Sequence, residues 1–120
     1  MPIEKGRELL YLSRADVMSC AVSPAEANVA IESGFVAKAA ARAHTRGAQM
    51  PLAAGALFDA KVGMSGPYAS VKWYGYFPEN DTRALPNFSP IIVLSETETG
   101  MAVAVMDGTW ITEVRTASIT

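Results

Sequence analysis

The chain has 120 residues, half of them apolar and 18% charged, with a formal net charge of −2 and a pI near 5.3. That balance fits one globular domain able to bury a core without a metal or disulfide staple, and it excludes a disordered chain. The basic residues are dispersed and outnumbered, 10 against 12 acidic, which argues against a nucleic-acid or anionic-membrane partner.

The N-terminal Met1-Pro2-Ile3-Glu4-Lys5-Gly6-Arg7-Glu8 lacks an apolar core of signal-peptide length, and no run reaches bilayer-spanning length. Cys20 is the single cysteine, so an internal disulfide and a thiolate metal cluster are excluded and no metal is expected. A reducing, cytoplasmic setting is the default. Leu9 to Leu12 reads as a short strand. Ser13 with Asp16 forms the pattern of a capping box ahead of a short helix over Arg14–Cys20. Cys20 itself reads as a small buried apolar residue.

Ser23-Pro24-Ala25-Glu26 is a stronger start, with Ser23 at the N-cap, Pro24 in the first helical position and Glu26 as the returning acid. From there Ala27, Ile31, Phe35 and Ala39 recur every four residues, one apolar stripe on a long helix. The helix is expected to stop at Gly47, with Arg42, His44 and Arg46 near its end. Beyond Pro51 strands and turns take over: a strand over Ala56–Lys61, a loop over Gly63–Pro67, and a strand over Tyr68–Phe77 broken by Pro78. Alternation along that strand puts Lys72, Tyr74 and Tyr76 on one face. Trp73, Tyr74 and Tyr76 suit a core or a dimer interface. Ile91–Ser95 and Met101–Met106 flank a turn ending in Gly100, a β-hairpin. Asp107 or Thr109 then caps a last helix carrying Trp110, Ile111, Val114 and Ile119. The expected fold is α+β, a long helix from the N-terminal half packed on a mostly antiparallel sheet.

Phosphate loops, a nucleophile elbow and paired zinc histidines are absent. With His44 the only histidine, a serine-type triad has no support. Residue by residue, the chain gives an α+β domain without a complete catalytic apparatus.

An ordered set of segments goes further. Leu10-Tyr11-Leu12-Ser13-Arg14-Ala15-Asp16-Val17 and Gln49-Met50-Pro51 come first. Val71-Lys72-Trp73, Phe77-Pro78-Glu79-Asn80 and Leu85-Pro86-Asn87 follow, and the run Asp107-Gly108-Thr109-Trp110-Ile111-Thr112-Glu113-Val114-Arg115-Thr116-Ala117-Ser118 closes the set. Together they resemble the N-terminal half of the ornithine cyclodeaminase/μ-crystallin family, from about Leu10 to Ser118. The resemblance implies an α+β substrate-binding and dimerisation domain over 1–120, truncated before a Rossmann domain that binds NAD or NADP. It implies chemistry through an imine beside a carboxylate: cyclodeamination, ketimine reduction or amino-acid oxidation. A small amino or imino acid is the implied partner, and a homodimer the implied assembly.

By position, Lys72 matches the family lysine that contacts the substrate carboxylate. Arg115 matches the arginine near the substrate and the cofactor phosphates, Thr116 its cofactor-side neighbour. Asn87 stands where many members carry a threonine facing the nicotinamide side. A lysine among aromatics is partly desolvated and gains most from an anionic partner, and an arginine early in a helix offers a planar fork to carboxylate or phosphate. The alternatives are a snorkelling Lys72 and an Arg115 paired with Glu113 or another acid. Two departures are visible. Met50-Pro51-Leu52-Ala53-Ala54 lacks the arginine many members carry there, and Lys61-Val62-Gly63-Met64 lacks the glutamate of the ornithine enzyme. Both point to an amino or imino acid other than ornithine. Without the cofactor half, which also holds the catalytic aspartate of the deaminases, no catalytic residue is assigned and the chain alone is expected to be inactive. A non-enzymatic carboxylate-binding or dimerisation module is the competing expectation.

Overall fold

Two capping boxes set the first helices. Ser13 accepts from the Asp16 amide at 3.2 Å while the Asp16 carboxylate accepts from the Ser13 amide at 2.9 Å, opening α1 (Arg14–Ser19). Ser23 and Glu26 repeat the exchange at 3.1 Å each way and open α2 (Pro24–Ala39). The structure, a computed structural model, describes residues 3–119 and side chains as far as Ala117. The expected packing of Ile119 therefore lies outside the described side chains.

Three expectations in this half are corrected. The helix ends at Ala39 rather than near Gly47, because Ala41 turns left-handed (φ 58°). Residues Ala43–Pro51 then form strand β2, pairing along its full length with β3 (Leu57–Ser65). A continuous ladder outweighs weak helix propensity in a stretch containing His44 and Thr45. His44 is thus an exposed strand residue. The packed stripe of α2 runs Ala27, Ile31, Gly34 and Ala37, leaving Phe35 56% exposed. Cys20 is exposed rather than buried, since Ala21 (φ 53°) turns the chain away from α1.

β3 continues to Ser65 where a loop was expected, and only Gly66-Pro67 separates it from β4 (Tyr68–Tyr76). Gly66 supplies the positive φ of 58° that a two-residue hairpin needs. Thr97 secures this turn, its amide donating to the Pro67 carbonyl at 2.9 Å and its hydroxyl to the Gly66 carbonyl at 3.1 Å. β5 (Ile91–Glu96) and β6 (Ala102–Asp107) make the expected hairpin. With β1 (Leu10–Leu12) they complete a six-stranded sheet in the order β1-β6-β5-β4-β3-β2. It is mixed, as β1 runs parallel to β6 while the other pairs are antiparallel. The Asp107 carboxylate accepts from the Thr109 amide at 2.9 Å and starts α3 (Thr109–Ile119).

The helices pack on one another and on one side of the sheet. Register assigns Leu10, Leu12, Ala104, Lys72, Tyr74, Asp59 and Ala43 to that side. Tyr11, Val93, Val71, Val62, Ile91, Trp73, Met64 and Met50 occupy the other, where Tyr11, Val62, Ile91, Trp73, Met64 and Met50 are exposed. Among the described residues the buried apolar ones are few: Val17, Ala43, Ala56, Pro90 and Ala104. The Cα radius of gyration, 15.5 Å, exceeds the about 14 Å of a compact chain this long. No described helix is long and apolar enough to cross a membrane.

Candidate functional site

Alternation along β4 sends Lys72 and Tyr74 toward the helices and Trp73 to the opposite face. Trp73 there stacks on Phe58, ring centroids 5.4 Å apart. On the helix side, Tyr74 stands opposite Asp59 and Lys72 opposite Lys61. Asp59 is fully buried. Its Oδ2 accepts from the Tyr74 hydroxyl at 2.6 Å and lies 3.2 Å from the Lys61 Nζ. Its Oδ1 is buried without a hydrogen-bond partner. The Lys72 ammonium sits over the Tyr74 ring, 5.4 Å from its centroid, within cation–π range. One buried carboxylate thus holds Lys61 directly and Lys72 through Tyr74.

α3 brings in the third cation. Gly108 at its start donates to the Pro90 carbonyl at 2.9 Å, and a Cβ there would meet Ile92 at 3.1 Å. That close approach seats the helix against β5. Arg115, farther along α3, and Lys72 line one open groove of about 930 Å³ between α2 and the sheet. Glu113 pairs with Arg14 at 3.9 Å rather than with Arg115. Among the described residues, neither Lys72 nor Arg115 has a carboxylate within ion-pair distance, and Arg115 is exposed to solvent.

The electrostatics follow. Burial lowers the Lys72 ammonium below the ordinary lysine value, Arg115 and Lys61 push it the same way, and Asp59 opposes them. The hydrogen bond from Tyr74 leads in holding Asp59 below the usual carboxylate range, against the opposing effect of burial. Burial, then the bond to Asp59, pushes the Tyr74 phenol up to about 12.

Lys72 and Arg115 come together, whereas Asn87 and Thr116 lie outside the groove's lining. Asn87 accepts the Phe77 amide at 2.9 Å at the far end of β4, beside the Tyr76–Phe88 bridge. Thr116 is exposed on α3. Ala53, where the family arginine was expected, sits in a one-turn helix with Ala54 left-handed (φ 59°) and borders a separate cleft with Pro78 and Arg83. Sequence reasoning missed Asp59 and Lys61 as site residues; the signal was their two-residue spacing, which only the β3–β4 register turns toward Lys72. Among the described residues no group of three or more His, Cys, Asp or Glu could hold a metal ion.

Comparison with known proteins agrees with this architecture. The chain is similar to an alanine dehydrogenase of Archaeoglobus fulgidus, 39% identical over 51 residues, which is 42% of this chain and 16% of the relative. It is 42% identical over 53 residues to Protein SAR DEFICIENT 4 of Arabidopsis thaliana, 44% of this chain and 16% of that protein. Among solved structures, an archaeal alanine dehydrogenase dimer with bound NAD superposes with a TM-score of 0.87 and 29% identity, covering 92% of this chain and 34% of that one. The Thermococcus litoralis Δ1-pyrroline-2-carboxylate reductase in complex with NADH and L-proline gives 0.86 and 25%, with coverage of 92% and 35%. The Paracoccus denitrificans iminosuccinate reductase in complex with NAD+ gives 0.81 and 26%, with 93% and 36%. The chain thus spans about a third of the solved chains it resembles. The sequence pattern of the Ornithine cyclodeaminase/mu-crystallin family matches residues 8–120, and the chain belongs to that family.

Proposed function

We propose that this chain is the substrate-binding and dimerisation part, one α+β domain over 1–120 ahead of a separate Rossmann domain, of a cytoplasmic NAD(P)-dependent amino- or imino-acid enzyme. The observation that carries the reading is the convergence of Lys72 and Arg115 on one groove, neither paired to an acid among the described residues. A substrate carboxylate there meets a partly desolvated ammonium and a planar fork, the pairing that gains most from charge-assisted hydrogen bonds. Anchoring the carboxylate fixes the adjacent carbon, where an imine forms or is reduced, so the chain's own contribution is orientation.

Arg115 and Thr116 suit the phosphate-bearing side of a dinucleotide: one is an exposed guanidinium and the other an exposed hydroxyl at the next position of α3. Asn87 would take part only at the nicotinamide end. NAD or NADP, when bound, supplies the hydride chemistry. The uncovered apolar face of the sheet supports homodimerisation, with the second copy stacked on it. Because the Ala53 region supplies no arginine and Lys61–Met64 no acid, an amino or imino acid other than ornithine is the favoured substrate.

Calorimetry of the 120-residue chain with L-proline, a cyclic imino acid and L-ornithine tests the reading. Saturable binding of a carboxylate ligand, weakened at least about tenfold by Lys72→Ala or Arg115→Ala, is expected. The absence of heat with every acid, in well-folded protein, contradicts it. Binding that neither substitution affects leaves the domain as a scaffold.

A further inference from the structure

The groove carries more positive charge than one carboxylate neutralises. Lys61, Lys72, Arg115, Arg46 and Lys38 of α2 all line it, and no aspartate or glutamate is among the lining residues. Asp59, behind the lysines, returns one negative charge through its contact with Lys61, so Lys61, Lys72 and Arg115 with that one carboxylate leave +2, before Lys38 and Arg46 are counted. Lys61 and Lys72 are direct cross-strand partners, an arrangement of like charges that destabilises a sheet. Lys61 Nζ is held at 3.2 Å by Asp59, yet its side chain remains 54% exposed, which leaves its other hydrogens free to donate into the groove.

We infer that Lys61 is a specificity-determining residue and that the groove takes a ligand with two carboxylates, a short α-amino or α-imino dicarboxylic acid. The first carboxylate sits between Lys72 and Arg115, and the second accepts from Lys61. This rests on the carboxylate-site reading above and adds the ligand class to it. In this arrangement Asp59 is a positioning residue. It touches no ligand; it fixes Lys61 by the ion pair and Lys72 by way of the Tyr74 ring. The second carboxylate removes the repulsion between the facing lysines that a monocarboxylate leaves in place. Lys61 thereby supplies, from β3, a second anion contact that the Ala53 turn does not.

The test compares L-aspartate with L-asparagine, its neutral isostere, and with L-alanine, by calorimetry at low salt on the full chain. Aspartate is expected to bind about tenfold more tightly than either, the worth of one charge-assisted hydrogen bond. Lys61→Gln should bring aspartate down to the level of asparagine, and Lys61→Arg should keep the preference. Equal affinities in the parent protein overturn the inference while leaving the carboxylate site standing. A preference that survives Lys61→Gln removes Lys61 from the role. If no acid binds, and the Lys72→Gln protein behaves as the parent does, the site reading itself fails and this one with it. Circular dichroism of each variant confirms that the comparison is made between folded proteins.

Discussion

The two faces of the sheet are made from alternate residues of the same strands, yet they meet different surroundings. Toward the helices, β3 and β4 present Asp59, Lys61, Lys72 and Tyr74, linked through one buried carboxylate. Toward the other side they present Phe58, Val62, Met64, Val71 and Trp73, of which Val62, Met64 and Trp73 are exposed. A period of two lets one stretch of chain serve both. On the charged face one carboxylate stands among several cations, and on the apolar face large side chains are exposed. A lysine at the centre of an aromatic strand is the point where the two requirements meet.

The largest effect expected is on the apolar face. Val62→Lys places a charge in its middle and should weaken self-association at least roughly thirtyfold in sedimentation equilibrium, the scale of an interface hot spot. A parent protein that sediments as a monomer would break the comparison at once. Next comes Asp59. Removing its charge with Asp59→Asn should cost about 2–3 kcal/mol and lower Tm by about 10 °C, because a buried charge-assisted hydrogen bond and an ion pair go together. The sign with pH is fixed by the lowered Asp59 carboxyl. Its stabilisation is complete above the ordinary carboxylate value and is lost as pH falls through the lower folded value, so acid unfolding of Asp59→Asn should be the shallower.

Lys72 separates binding from stability. Lys72→Gln should lose about tenfold or more in carboxylate affinity while Tm stays level or rises by a few degrees, since it relieves a partly buried, crowded charge. A fall in Tm without a change in binding would make Lys72 structural. Carboxylate affinity of the parent should also decline as pH rises through a Lys72 value below the ordinary lysine range. The smallest signal is spectroscopic. In a phenolate titration Tyr74 should ionise last, near 12, and Tyr74→Phe should delete that phase. The phenol is raised, so its stabilisation is present below the ordinary tyrosine value and is lost as pH climbs through about 12.

What could be read in advance follows from how local each cause is. The capping boxes at Ser13 and Ser23, the Asp107 cap and the β5–β6 hairpin are written in neighbouring residues, and they stand in the fold as read. β2 was not legible because its cause is distant: Ala43–Pro51 is extended by pairing with β3. Ala21, Ala41, Ala54 and Ala84 adopt positive φ where a reader looks for glycine, so the breaks they make carry no mark. Lys72 and Arg115 are singled out by the family pattern, and both line one groove. Asp59 and Lys61 required the register, since alternation alone does not say which face of β3 meets which face of β4.

The central claim is that the Lys72–Arg115 groove is an anion site open to a small acid. A 15N-labelled chain titrated with L-proline and L-aspartate, followed by backbone amide and arginine side-chain resonances, tests it most directly. Saturable shifts centred on Lys72, Arg115 and their neighbours across β3 and α3 are expected, with Trp73 on the opposite face little changed. Shifts that centre on the apolar face, or none at all up to saturating acid, would contradict it.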